Sequence, residues 1–322
     1  CLCGFLSIIK SFSKFNCDNY FKNYICITNL SKMPQKLNFC ILFCLLLHCC
    51  FSQTTKKTLQ TQFTNEKITI DGKFDEEIWK SAQIATDFIM EEPDNGKLEP
   101  KERKSEVKVV YDHDAVYIAA TLYDNNPESI KRELTLRDDF GVADHFGVLL
   151  NGYNDGQQEF RFFVSSSGVQ QDCVYTEAKN EDFSWNAIWD SKVLITDIGW
   201  VVEMKIPFAA LRFPKQITQP WGINFYREVR NQRQRYTWNL FSNAIVNKAT
   251  QSGILEGIEN INTPTRLFLI PYSSYYLSNK KEQTKGELKG GLDVKYGLSD
   301  AFTLDAILVP DFGQTAFDKV EL

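Results

Sequence analysis

Trp185 and Trp189 stand four residues apart around a polar loop, with Asp182 and Asp190 close by. Indole faces beside carboxylates can hold a ligand by stacking on its apolar face while charged groups take its polar edge. Tyr226 and Trp238 are further rings able to serve this way. The same four rings can equally be core or edge packing, the usual fate of large aromatics. Arg137-Asp138-Asp139 is a second candidate. It could hold a ligand hydroxyl or a cation, or close on itself as a salt-bridged loop. Asp71 with Asp75, or Asp112 with Asp114, could join a calcium site, since clustered oxygens suit that cation. No stretch has the full spaced calcium-loop pattern, and aspartates in such places commonly cap turns. No cofactor is therefore expected.

Motifs for catalysis are missing. There is no G-x-S-x-G elbow, H-E-x-x-H pair, P-loop or G-x-G-x-x-G turn. Glycoside hydrolysis needs two carboxylates about 5–10 Å apart, and spacing nominates no pair among so many acids. Cys173 has no histidine partner in a recognisable motif. Eight of the nine cysteines lie within the first 50 residues, which excludes a disulfide framework or a multi-cysteine zinc site in the body. The 36 basic and 41 acidic residues give a net charge of −5, without the clustered positive charge that nucleic-acid binding needs. At 43% hydrophobic and 24% charged residues this is a folding chain, and 322 residues leave room for two domains.

The elements that must position these residues read as β. Val107 to Tyr111 and Val116 to Leu122 alternate with period two. Further runs are Phe146 to Leu150, Phe160 to Val164, Val193 to Ile195, Trp200 to Ile206, Ile223 to Val229 and Tyr236 to Leu240. Turn signals divide them, among them Asn151-Gly152, Asn154-Asp155-Gly156 and Ser165 to Gly168. Short strands without long helices between them predict a β-sandwich. Two helical pieces are expected: Phe74–Ala82, with Trp79 on its apolar face, and Phe208–Phe213 after Pro207. Beyond Asn262-Thr263-Pro264, a linker, the pattern changes. Leu292, Val294, Tyr296 and Leu298 alternate with polar residues, and so do Phe302, Leu304, Ala306 and Leu308, although Ile307 breaks the polar face. Strands of this kind fit either a transmembrane barrel or a soluble sheet with one wet face.

The chain opens with Cys1, and its first Met is Met33. Lys36, nine apolar residues from Phe39 to Leu47, and Ser52 read as a secretory signal peptide over 33–52. Nine apolar residues fall short of the roughly 20 that span a bilayer. Residues 1–32 are expected to be upstream or non-native translation. Without 1–52 the balance is 31 basic against 40 acidic residues, an acidic exported protein.

Ile70-Asp71-Gly72-Lys73-Phe74-Asp75-Glu76-Glu77-Ile78-Trp79 resembles the opening of family 9 carbohydrate-binding modules. Val116-Tyr117-Ile118 to Asp124, Asp144 to Val148, and Gly199-Trp200 to Pro207 follow in the order of that family. The resemblance narrows at Arg137 to Phe140, Ser184-Trp185 to Trp189, Ala210 to Phe213, Leu292 to Gly297, and Pro310-Asp311-Phe312-Gly313-Gln314. These stretches are similar to exported proteins of the DUF5916 family, in which such a domain precedes an outer-membrane β-barrel of Gram-negative bacteria. The resemblance implies an all-β chain: a CBM9-like β-sandwich over 53–262, then the first antiparallel strands of a transmembrane barrel over 263–322. About three strands lie there, fewer than the eight or so that close a barrel, so the sequence reads as truncated.

In the family two tryptophans sandwich a terminal sugar, because a pyranose presents an apolar C–H face and hydroxyls that need polar partners. The resemblance puts Gly141 in the first tryptophan position and the second near Val246, Gly147 in a carboxylate position and Tyr226 in an amide position. Only Arg161, in Phe160-Arg161-Phe162, is retained. The expected site set is therefore Arg161, Trp185, Trp189, Tyr226, Trp238, Arg137 and Asp139. The expected partners are an oligosaccharide or polysaccharide and the outer membrane, with no nucleic acid. Two alternatives stay open: a structural or plug domain without sugar binding, and the binding module of a secreted glycoside hydrolase.

Overall fold

The computed structural model describes residues 56–261, 266–280, 283–298 and 302–308. The expected signal peptide, residues 1–32, the Asn262-Thr263-Pro264 linker and the Pro310–Gln314 stretch lie outside them.

The first strands are β1 (Thr58–Gln60) and β2 (Gln62–Phe63), followed by the one-turn helix α1 (Ile78–Ser81). Then come β3 (Ile84–Ala85), β4 (Ile89–Glu92), β5 (Ser105–Tyr111), β6 (Ala115–Tyr123), β7 (His145–Asn151) and β8 (Gln158–Ser165). They are followed by β9 (Gln170–Thr176), β10 (Asn180–Asp182), β11 (Asp190–Thr196), β12 (Gly199–Pro207), β13 (Trp221–Val229), β14 (Gln234–Thr237) and β15 (Gly253–Glu256). The last three are β16 (Leu267–Lys280), β17 (Gln283–Gly297) and β18 (Thr303–Leu308).

Two sheets face each other. One runs β1-β15-β13-β7-β8-β9-β10, with β14 pairing both β13 and β4; the other runs β11-β12-β6-β5-β2, with β3 on β5. Alternation sends Phe146, Val148 and Leu150 of β7, Phe160, Phe162 and Val164 of β8, and Ile223 and Phe225 of β13 into the space between them. Val107 and Val109, Ile118 and Ala120, and Val202 and Met204 meet them from the second sheet. Each of these side chains larger than Ala120 contributes roughly 1.5–3 kcal/mol by leaving water. This is the expected β-sandwich.

The expected helix over Phe74–Ala82 shortens to one turn. A carboxylate from outside caps it: Glu66 accepts from the Glu77 and Ile78 amides at 3.3 and 3.2 Å. Trp79 is 1% exposed and packs with Val110, Ala115 and Tyr117 on the outer face of β5 and β6. It lies in a second small core, where the helix reading put it. Phe208–Phe213 is likewise only a 3-10 turn, Phe208–Ala210.

The third sheet is β16-β17-β18, antiparallel, with Leu269 opposite Val294 and Val294 opposite Ala306. The register gathers Leu269, Leu277, Leu288, Leu304 and Leu308 on one face, each half or more exposed. Lys289, Asp293, Lys295 and Asp305 stand on the opposite face. The sheet is open, so the described residues close no barrel. No helix among them is long and apolar enough to cross a membrane.

Candidate functional site

The outer face of the first sheet carries the residues that alternate against the core. On β7 these are His145, Gly147 and Leu149; on β8, Glu159, Arg161 and Phe163; on β13, Tyr226 and Glu228. A cleft of about 250 Å³ lies over them. Its floor is aromatic, and its glycine explains how. A Cβ on Gly147 would come within 2.3 Å of Phe163 Cδ1, so only glycine lets that ring lie across β7. Phe163 then meets Tyr226 edge-on at 5.8 Å, and His145 stacks on Tyr226 at 5.5 Å.

Charged groups stand around this floor in pairs. Arg161, only 4% exposed, lies 3.9 Å over the Tyr175 ring. It donates to Glu159 through Nε and Nη2, at 3.2 and 2.8 Å, and to Glu181 through Nη1 at 2.8 Å. Glu228 accepts from the Tyr226 hydroxyl at 2.9 Å, from Arg230 at 2.8 Å and from Arg235 at 3.3 Å. Lys248 pairs with Glu91 at the far wall. The lining thus holds Glu91, Glu181 and Glu228 against Arg161, Arg235 and Lys248, a balanced set.

Protonation follows from burial. The His145 imidazole is pushed below its ordinary pKa by burial, although Glu228 at 3.6 Å pulls it upward. Burial raises the Glu228 carboxyl, but His145, Arg230, the Tyr226 hydroxyl and Arg235 outweigh it and hold it below the usual value. Burial and the Glu228 charge keep the Tyr226 phenol protonated far above its usual range. The cleft therefore offers fixed donors beside fixed acceptors at neutral pH, an arrangement suited to hydroxyl groups.

Of the residues expected from the sequence, Arg161 and Tyr226 line this cleft. The others lie elsewhere. Trp189 is 4% exposed and donates its indole N–H to Asp172, and Trp238 is 3% exposed against Phe225. Both are core side chains with no face open to a ligand, which removes them from the expected set. Arg137 bonds Asp172, Gln170 and the Ala187 carbonyl, so it braces a loop. Asp139 accepts from the Gly141 amide at 3.0 Å and caps a turn. Trp185 is half-buried against Phe160 and Phe162, away from the cleft lining.

Asp71 accepts from the Lys73 amide, and Asp112 from the Asp114 and Ala115 amides. Both cap turns. Among the described residues no three His, Cys, Asp or Glu side chains are grouped to hold a metal. Sequence reasoning missed His145, Phe163, Glu181, Phe183, Glu228 and Lys248. The period-two runs put His145, Phe163 and Glu228 on the outer face with Arg161, and that parity was the available signal. Glu181, Phe183 and Lys248 come from a short edge strand and loops, which carry no such pattern.

Residues 70–253 match the family described as carbohydrate family 9 binding domain-like, more than half of the chain. The chain belongs to that family. Residues 263–322 match a second family, described as a domain of unknown function, DUF5916. Two solved structures of a carbohydrate binding module family 9 from Caldicellulosiruptor kristjanssonii, one with cellotriose and one with glucose, are similar at 14% and 15% identity. Each similarity covers 64% of this chain and 100% of the other, with a TM-score of 0.46. A candidate carbohydrate-binding protein from Bacteroides uniformis ATCC 8492 shares 10% identity over 63% of this chain and 99% of its own, with a TM-score of 0.50. No curated protein matches the chain. The family 9 binding domain is named for binding and not for a reaction. Of the two positions that the resemblance assigns to sugar-clamping tryptophans, Gly141 has φ +51° and Val246, near the second, is 81% exposed.

Proposed function

We propose that this family 9 domain binds a neutral saccharide non-catalytically in the cleft over β7, β8 and β13. The observation that carries the reading is the balanced ring of charges over an aromatic floor. Arg161 and Glu181 form one donor–acceptor couple and Arg235 with Glu228 another. Adjacent sugar hydroxyls need such couples. Phe183, 38% exposed at the rim, supplies an aromatic face on which a sugar can stack.

The domain is exported by the 33–52 signal, and β16 to β18 begin an outer-membrane barrel. What supports this second part is that one face of the sheet is lined by Leu269, Leu277, Leu288, Leu304 and Leu308, whereas all of Lys289, Asp293, Lys295 and Asp305 stand on the other, beside Phe268, Ile270 and Ile307. The sandwich then lies on the periplasmic side or within the lumen, delivering or retaining glycan at the pore.

The test is calorimetry on the full chain in detergent with xylo- and cello-oligosaccharides. Saturable heat that falls at least about tenfold in affinity in Glu181→Gln is expected. A folded protein that gives no heat with either series would refute the sugar site. The missing tryptophan pair favours a second reading, a plug or assembly domain without sugar binding, and that result would select it. Recovery of the full-length protein in the soluble fraction would refute the barrel.

A further inference from the structure

The Glu228 carboxylate is claimed from several sides. Its Oε2 accepts from the Tyr226 hydroxyl at 2.9 Å and from Arg235 Nε at 3.3 Å, while its Oε1 takes Arg230 Nη1 at 2.8 Å. A carboxylate oxygen offers about two lone-pair sites, so Oε2 has both filled. His145 Nε2 stands 3.6 Å from that same oxygen, outside hydrogen-bonding distance. It is a third claimant on two sites.

The imidazole is held in place by its neighbours. Phe140 lies 4.6 Å from it, Tyr226 5.5 Å and Phe163, edge-on, 6.2 Å. Its other nitrogen, Nδ1, faces the Ala143 carbonyl at 3.4 Å. Both nitrogens thus face oxygens. A neutral imidazole has one donor and one bare nitrogen, so in either tautomer a lone pair meets an oxygen. Only the imidazolium, with two donors, answers both. Burial opposes that charge, Arg230 and Arg235 add to the opposition, and Glu228 favours it. The charged and titratable groups around the ring are Tyr226 and Glu228 of β13, Arg230 just after it and Arg235 of β14. Asp144, next to His145 in the chain, is buried and accepts from the Arg230 amide.

We propose that His145 is a positioning residue of the saccharide cleft, acting through Glu228: a proton taken from solvent lets Nε2 claim Glu228 Oε2 and displace Arg235, the longest of that carboxylate's bonds. The His145 side chain is 13% exposed, which gives the proton access. Arg235 retains Glu92 at 3.2 Å, so its release from Glu228 leaves it paired. The inference rests on the cleft reading above, in which Arg235 and Glu228 act as one donor–acceptor couple. A saccharide that uses the couple binds the form with neutral His145. Proton and saccharide then weaken each other by the same factor.

The experiment is histidine-ring NMR and calorimetry on the full chain in detergent, from about pH 7.5 to about pH 4.5. His145→Gln identifies the ring's resonance. The ring is expected to titrate below the ordinary value of about 6.5. Arg235→Gln should raise its midpoint, because it removes a repelling cation and a rival for Oε2. A midpoint unmoved in Arg235→Gln would overturn the inference. Affinity for xylo- or cello-oligosaccharides should fall several-fold as pH drops through the midpoint, and bound oligosaccharide should lower the midpoint. His145→Gln keeps a donor but cannot take the charge, so its affinity should be level across the same interval. An affinity that still falls there would overturn the inference and point to Asp144 or Glu203. If neither series binds at any pH, the cleft reading fails, while the Arg235→Gln titration still decides whether His145 answers to the Glu228–Arg235 pair.

Discussion

The Trp189 indole N–H donates to Asp172 Oδ2 at 2.8 Å inside the sandwich. Asp172 is fully buried, and it also takes the Ala187 amide and the Arg137 guanidinium. One carboxylate on β9 thus organises the whole loop from Trp185 to Trp189. Two residues that the sequence offers as ligand contacts, Arg137 and Trp189, are instead its partners.

Asp172→Ala should destabilise the protein by about 3–5 kcal/mol. It strands a buried indole N–H, a loop amide and one member of a charge pair. Thermal unfolding measures the loss. If the midpoint moves by less than about 2 °C, the brace contributes little.

Gly147→Ala should cost about 1–3 kcal/mol and open the cleft floor, because the new methyl occupies the place of the Phe163 ring. Oligosaccharide affinity should fall with it. Gly96 has nothing within 4 Å of an added Cβ but stands at φ +94°, so its replacement reports backbone strain alone and separates that cost from the ring clash at Gly147.

Stability should fall as pH rises from about 5 to about 7.5. Burial raises the Glu203 carboxyl to about 7, against the pull of the Asp71 and Gly72 amides that its Oε2 accepts. Burial also raises Asp144 to about 6, against the Arg230 and Lys131 amides. A folded-state pKa above the unfolded one means the folded protein holds the extra proton. The stability this brings is complete below about pH 4 and is lost as pH climbs through 6 and 7. Glu228, held low, acts oppositely toward more acid pH, and His145, held low by burial, also acts oppositely as pH rises toward its ordinary value, so the net fall is the part of the Glu203 and Asp144 effect that exceeds it. Discounted for partial hydration, each raised group accounts for about 1–2 kcal/mol. Glu203→Gln should flatten the profile between pH 5 and 7.5 by about one group's share; an unchanged slope would exclude Glu203 as its source.

Leu288→Arg places a charge on the exposed apolar face of β17, where Leu288 is 74% exposed. On a lipid-facing strand near mid-membrane this costs about 2–4 kcal/mol. Recovery of the protein with outer membranes should drop, whereas Lys289→Gln on the opposite face should leave it unchanged. Equal recovery of the two variants would speak against lipid contact.

Much of the sandwich was legible because its strands have one buried face. Val107 to Tyr111, Phe160 to Val164 and Trp200 to Ile206 show period two directly, and each lies within a strand. Gln170–Thr176 did not show it. Its inward face carries Asp172 and its outward face Gln171 and Cys173, so polarity does not alternate. The strand exists because Asp172 finds three donors in a dry interior.

The sequence by itself determined the fold class, the family and the two-sided character of the last strands, since periodicity and block order are local properties. Of the residues it nominated, Arg161 and Tyr226 line one cleft. Only the tertiary structure decided which rings are covered and which stay open to solvent. Trp185, Trp189 and Trp238 are equivalent as letters, but a tryptophan's role depends on what covers it. That covering comes from residues such as Asp172, Phe225 and Gly253, distant along the chain and brought together by the sheets.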